Sequence, residues 1–150
     1  MLGLADRAGD LHDALAEAGE ILMVSTPFRF VQGVAPDGAP WVPLAPSTLA
    51  QKKGPGILRE NLHLMGSFRY QMLGQDLHFG TNVPYAAAQH FGLPVRTTTP
   101  KHGKALAWPG GKHPVSKVNP PGLKARPFVG LSTEDEERIL EAVADYLAAE

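Results

Sequence analysis

Cysteine is absent from the 150 residues, which removes disulfide frameworks, thiolate nucleophiles and Cys-ligated zinc or iron–sulfur clusters. No apolar run reaches the roughly 18 residues that a membrane-spanning helix needs. Asp6, Arg7 and Asp10 stand where a secretory leader would require an unbroken apolar stretch. The expectation is a soluble, unexported protein with no membrane partner. The motifs that carry catalysis mechanically are also missing: there is no G-x-S-x-G elbow, no H-E-x-x-H, no P-loop and no G-x-G-x-x-G after a strand. The six histidines include no pair three or four apart on a helix. His102 and His113 could meet across a hairpin, but no carboxylate lies between residues 93 and 126 to complete a metal shell. No catalytic, metal-ligating or cofactor-binding residue is therefore assigned, and no cofactor is expected.

What is present suits one folded domain spanning 1–150, because hydrophobic residues make up 43% of the chain and charged residues only 19%. Its 16 Gly and 14 Pro predict many turns and at least one poorly regular segment. The net charge of -1 hides a strong division along the chain. Residues 1–92 hold six basic and eight acidic residues, 93–126 hold seven basic and no acidic ones, and 127–150 hold one basic and seven acidic ones. Such polarity suits head-to-tail contact between copies, contact with an acidic partner such as DNA, or two ordinary solvated faces.

Leu4, Ala8, Leu11, Leu15, Ala18 and Leu22 recur at helical spacing, predicting an amphipathic helix over about 3–24 that Ser25-Thr26-Pro27 ends. Phe28, Phe30 and Val31 then form a short apolar patch, and Pro36-Asp37-Gly38 a turn. Ser47 can cap a short helix through Lys53. Leu58, Leu62 and Met65 mark a second amphipathic turn and a half, stopped by Gly66. From Ser67 the period changes to two: Phe68, Tyr70 and Met72, then Leu77 and Phe79 after Gly74-Gln75-Asp76, read as a β-hairpin. Asn82 and Pro84 resemble a helix start, and Gly92 its end. Residues 93–125 carry six of the prolines and little periodicity, predicting an extended hairpin, a projecting arm or a segment ordered by a partner. Phe128, Val129 and Leu131 suggest a buried strand. Ser132 and Asp135 form a capping box for a last helix whose buried stripe is Ile139, Val143, Tyr146 and Leu147. The sum is an α+β fold with long N- and C-terminal helices, a small, mostly antiparallel sheet of three or four strands, and a long Pro/Gly-rich basic arm.

Two sets of contact residues follow from charge. Arg96, Lys101, Lys104, Lys112, Lys117 and Lys124, with Trp108 as a stacking surface, are candidates for contact with a partner or with DNA. Glu134, Asp135, Glu136 and Glu137 are candidates for an acidic inter-subunit surface, although their place at a helix start already explains them through the helix dipole.

Several blocks also resemble a known family. Pro36-Asp37-Gly38 with Trp41 and Leu44, followed by Ser47-Thr48 and Lys52, is similar to the PDG-x-x-W-x-x-L…ST-x-x-x-K signature of the phage virion morphogenesis family, which includes tail-completion proteins of Mu-like and P2-like phages. Ile57-Leu58 with Leu62 to Gly66 and Phe68, then Phe79 to Asn82 with Tyr85-Ala86-Ala87 and His90-Phe91-Gly92, then Ala125 to Ser132, follow in the family's order. The resemblance spans about 28–150, and 93–124 align with no family motif. It implies a virion structural protein, without catalysis, that completes the head-proximal end of the tail or the head–tail joint. A tail terminator or neck protein is the alternative within that class, and a DNA-binding accessory protein using the basic arm is the alternative outside it. A ring-forming homo-oligomer, with a hexamer as one possible closure, would contact other neck and tail proteins and, non-specifically, DNA in its lumen. As fold markers the resemblance implies Trp41, Tyr85, Phe91 and Phe128 as core anchors, Gly80 and Gly92 at turns, and Arg126-Pro127 holding an extended segment against its neighbour.

Overall fold

The computed structural model describes residues 4–101 (side chains from residue 11), 105–107, 113–118 and 122–148. The chain opens with α1 (Leu4–Gln32) and continues through α2 (Pro46–Gln51), the strands β1 (Arg69–Leu73) and β2 (Asp76–Gly80), α3 (Ala86–Phe91) and α4 (Thr133–Ala148). At 1.5 Å per residue, α1 is about 43 Å long. It packs against α4 and against both strands.

α1 does not stop at Ser25-Thr26-Pro27 but runs through Pro27. An interior proline removes one backbone hydrogen bond and crowds the preceding turn, at a cost of about 3 kcal/mol. Tertiary contacts on the far side offset it. Ala14, Ala18, Ile21, Leu22, Thr26, Arg29 and Phe30 form one continuous buried stripe, and Phe30 alone contributes about 1.5–3 kcal/mol by burial. Phe28 and Val31, read as part of an apolar patch after the helix, lie on its exposed side together with Val24. The helix ends at Gly33, whose φ of +70° lets its amide return to the Arg29 carbonyl at 2.7 Å. The Pro36-Asp37-Gly38 turn then folds the chain back, with the Ala39 amide on Asp37 Oδ1 and the Trp41 amide on the Gly33 carbonyl.

The core is aromatic. Phe30, Phe68 and Phe128 are each about 1% exposed, and their ring centroids lie 5.2–5.8 Å apart. Trp41 meets Phe30 edge-on at 5.2 Å, and Phe79 stacks on Phe68 at 5.7 Å. Such offset and edge contacts add about 0.5–1.5 kcal/mol per pair beyond area burial. Leu64, Val83 and Ala86 close the cluster.

The hairpin pairs Leu73 with Asp76 and Arg69 with Gly80. Gly74, at φ +63°, opens its two-residue loop. Tyr70, Met72, Leu77 and Phe79 are half-buried while Arg69, Gln71 and His78 face outward, the alternation that the period of two predicts. The Tyr70 ring lies against α1 where only a glycine fits: a Cβ on Gly19 would come within 2.6 Å of it.

Other expectations change. α2 starts at Pro46 with Ala45, not Ser47, at the cap and no side-chain cap bond; it stops at Gln51, short of Lys53. No helix forms over 58–65, because Leu58 and Leu62 hold left-handed backbone at φ +58° and +59°, incompatible with a right-handed helix. The regular sheet has two strands. Phe128, Val129 and Leu131 form no strand, since the Phe128 and Pro127 carbonyls accept from the Arg29 and Trp41 side chains instead of a ladder. In α4 the buried positions are Asp135 and Ala142, flanked by half-buried Ile139, Val143 and Tyr146, while Leu147 is 64% exposed.

Candidate functional site

The described parts of the basic segment pair as two antiparallel limbs, bridged at Leu93–Leu123, Thr98–Val118 and Leu106–Val115. Its root is clamped between α3 and the Trp41 loop. Gly92 ends α3 at φ +77°, and a Cβ there would lie 2.6 Å from the Leu123 carbonyl oxygen. Gly122 faces the opposite limb just as tightly: a Cβ there would lie 2.4 Å from the Leu93 carbonyl oxygen. These two glycines let the limbs press together at the throat. Beyond it, the Arg126 amide donates to the Gln89 carbonyl at 2.9 Å. The Arg126 guanidinium donates to the Val42 and Pro43 carbonyls at 3.0 and 3.3 Å. Trp41 Nε1 donates to the Pro127 carbonyl at 2.7 Å. Arg126 is 5% exposed; burial lowers its pKa, and among the described residues it faces carbonyl dipoles and no carboxylate. It is a positioning cation that fixes the returning limb.

His90 completes the clamp from α3. Its Nδ1 accepts from the Phe128 amide at 3.3 Å and more weakly from the Val129 amide at 3.5 Å, while its ring meets Phe128 edge-on at 5.0 Å. Burial pushes its pKa down, which agrees with a neutral ring that uses Nδ1 as an acceptor.

A buried ion pair ties α1 to α4. Arg29 Nη2 meets Asp135 Oδ2, with side chains 6% and 2% exposed, and Arg29 Nη1 donates to the Phe128 carbonyl at 3.1 Å. Asp135 also makes the predicted capping box: its Oδ2 accepts from the Ser132 amide at 3.0 Å, and its own amide donates to Ser132 Oγ at 3.1 Å. Burial by itself would raise the Asp135 carboxyl. Hydrogen bonds from Ser132 and Ser25 and the Arg29 charge outweigh that and hold it below its ordinary value. For Arg29, burial outweighs the attraction of Asp135 and lowers its pKa.

Asp135 therefore leaves the acidic inter-subunit set, because it is engaged inside the fold. Glu134, Glu136 and Glu137 remain exposed, as do Glu141 and Asp145, and among the described residues none of them is ion-paired. Arg96, Lys101, Lys117 and Lys124 are likewise exposed and free of carboxylates among the described residues. Lys104, Trp108 and Lys112 lie outside the described residues, as does His102.

Of the fold markers, Trp41 and Phe128 are in the core. Tyr85 and Phe91 are not: they are 44% and 77% exposed, because α3 buries Ala86 against the core and turns its large aromatics outward. Gly80 occupies the end of β2 with open space where a Cβ would be, so no turn depends on it. Pro127 sits in the clamp through its carbonyl. Sequence reasoning gave no part to Arg29 or Leu140, named His90 only within a family block, and placed Leu147 in the buried stripe of the last helix; the sequence signal for Leu140 and Leu147 is their spacing of seven on α4.

The clefts offer little chemistry. One of about 440 Å³ is lined by Leu44, Ser47, Thr48, Lys52, Glu60 and Gln89 among others. Its Glu60 is engaged by Lys52 Nζ at 2.7 Å and the Lys53 amide at 2.9 Å, which with further backbone bonding lowers its carboxyl to about 2. No nucleophile–base hydrogen bond lies among these lining residues. Among the described residues no group of three His, Asp or Glu could hold a metal ion, and no helix is long and apolar enough to cross a membrane.

No curated protein and no solved structure matches the chain significantly. A model of the phage virion morphogenesis family, by contrast, matches residues 1–148, so the match takes in α1 as well as the blocks from Phe28 onward. With nearly the whole length covered, the chain belongs to the phage virion morphogenesis family, and its role is in the structure and assembly of a phage particle.

Proposed function

We propose that this protein is a ring subunit that completes the head-proximal end of the phage tail or the head–tail joint, and that it does so without catalysis. The observation that carries this reading is the divided surface charge in a chain of a virion morphogenesis family: exposed Arg96, Lys101, Lys117 and Lys124 on the clamped basic segment and exposed Glu134, Glu136, Glu137, Glu141 and Asp145 on α4, none of them ion-paired among the described residues. A subunit with complementary charged surfaces at two places associates head to tail, and such contacts close into rings when the rotation permits. Association through them weakens with salt.

Electron microscopy of particles assembled without the gene tests the role. Filled heads beside unattached tails of normal length are the expected result. Tails of runaway length would assign termination instead, and intact infectious virions would overturn the structural role and favour a DNA-binding accessory. The basic arm supports a second reading, that it lines a lumen through which DNA passes. Reversing Lys101, Lys104, Lys112 and Lys117 to Glu separates the two: lost oligomerisation supports subunit contact, whereas intact rings with impaired DNA passage support the lumen.

A further inference from the structure

α4 is amphipathic on both sides. Its inner stripe packs on α1, but its outer face carries Leu140, Ala144 and Leu147 at spacings of four and three, with Leu140 and Leu147 68% and 64% exposed. Glu137, Glu141 and Asp145 flank that stripe. An exposed leucine by itself is ordinary, but an aligned row of them with acidic borders has the form of a docking face.

The arm root carries the complementary pattern. Phe91, Leu93 and Val95 stand at alternate positions leaving α3 and are 77%, 45% and 68% exposed. Arg96 and Lys124 border them. Phe91 also lines an apolar cleft of about 270 Å³, with Ala86, Ala87, His90, Phe128 and Val129, which is roomy enough for an aliphatic side chain. The backbone beneath is held by the Gly92 and Gly122 throat and the Arg126 clamp, so the surface is pre-formed and little ordering entropy opposes binding.

We propose that the outer face of α4 in one copy seats on the arm root of the next, placing Leu140 and Leu147 against Phe91 and Val95 with Glu137 and Glu141 facing Arg96 and Lys124. The inference rests on the ring-subunit reading and names its interface. Charge selects this pairing over a further exposed apolar row among the described residues, Val24, Phe28 and Val31 on α1, because the cleft beside Val24 and Phe28 is lined by the cation Arg138 as well as by Asp37 and Glu134, whereas the charged residues flanking the α4 stripe are acidic alone. The contact is heterologous, joining two different surfaces, so each copy carries both halves.

Sedimentation of the full-length chain in low and high salt tests it. The wild type is expected to form multimers that dissociate as salt rises. Phe91→Asp removes one half-site and Leu140→Asp the other. Each places a charge at an exposed position, and each is expected to weaken association by about 30-fold or more, as loss of a buried anchor does. Mixed together, they should form a one-to-one pair and nothing larger, since each retains the half that the other lacks. Val95→Asp and Leu147→Asp serve as a second set if either variant melts abnormally. Phe28→Asp is expected to assemble as the wild type does. Multimers that survive Phe91→Asp or Leu140→Asp, a mixture that fails to pair, or a Phe28→Asp variant that fails to assemble would overturn the interface while leaving the ring reading in place. A wild type that stays monomeric at every concentration would overturn both.

Discussion

Replacing Asp135 by alanine probes the link between the two long helices most directly. The substitution leaves the Arg29 guanidinium buried, 6% exposed, with the Phe128 carbonyl and a distant Ser25 hydroxyl as its remaining partners. Stranding a buried charge in this way costs about 3–5 kcal/mol. The same carboxylate oxygen also accepts the Ser132 amide, so the capping contribution is contained within that figure and is not added to it. Against a total stability of about 5–15 kcal/mol, the loss is large, and for a chain of this size it corresponds to a fall in Tm of about 10 °C. Urea titration followed by circular dichroism at pH 7 measures it. Arg29→Met combined with Asp135→Leu should recover much of the loss, because an apolar pair of similar bulk needs no compensation for desolvation. The pH dependence has a fixed sign. The folded carboxyl of Asp135 is lowered, so its contribution is complete above the unfolded value of about 3.9 and fades as pH falls through the folded value; wild type and Asp135→Ala should therefore converge in acid. A loss below about 1 kcal/mol at pH 7, the scale of an exposed pair, would refute the placement of these residues in the interior.

Two other perturbations test separate parts of the molecule. Gly92→Ala combines a positive-φ, extended-ψ backbone (φ 77°, ψ 174°) that is essentially restricted to glycine, worth about 1–3 kcal/mol, with a Cβ 2.6 Å from the Leu123 carbonyl oxygen; faster amide exchange at Leu93 than in the wild type is the expected signature, and unchanged exchange would count against the throat. Lys52→Ala should move the NMR titration midpoint of Glu60 up from about 2 toward the ordinary carboxylate value, and a midpoint that stays put would show that the amides alone hold it.

Where sequence and structure agree, the determinants are local. Alternation on either side of Gly74 gives β1 and β2 their register, and Ser132 with Asp135 starts α4 through contacts three residues apart. Where they differ, the deciding contact is remote. Pro27 reads as a stop because local propensity dominates a single sequence, yet Arg29 and Phe30 beyond it are held by residues about a hundred positions later. Asp135 reads as one more acid in a charged turn for the same reason: its partner lies 106 residues away. Phe91 stands among the core anchors that the family resemblance implies, but α3 is only six residues long and buries its small alanine face instead. The division of charge was fully legible, since it needs no contact at all, whereas the apolar rows on α4 and at the arm root emerge only once exposure is known.

The glycine throat also separates the length of the arm from the stability of the fold. Both limbs enter the body at fixed points, through Gly92 on one side and Gly122 with Arg126 on the other, and the gap between those points is set by the core and not by the arm. Closing a longer flexible loop across a fixed gap costs only about 0.6 kcal/mol for each doubling of its length. Reach can therefore be lengthened or shortened by insertion and deletion beyond the throat with little thermodynamic penalty, so that one scaffold can be fitted to neighbours at different distances.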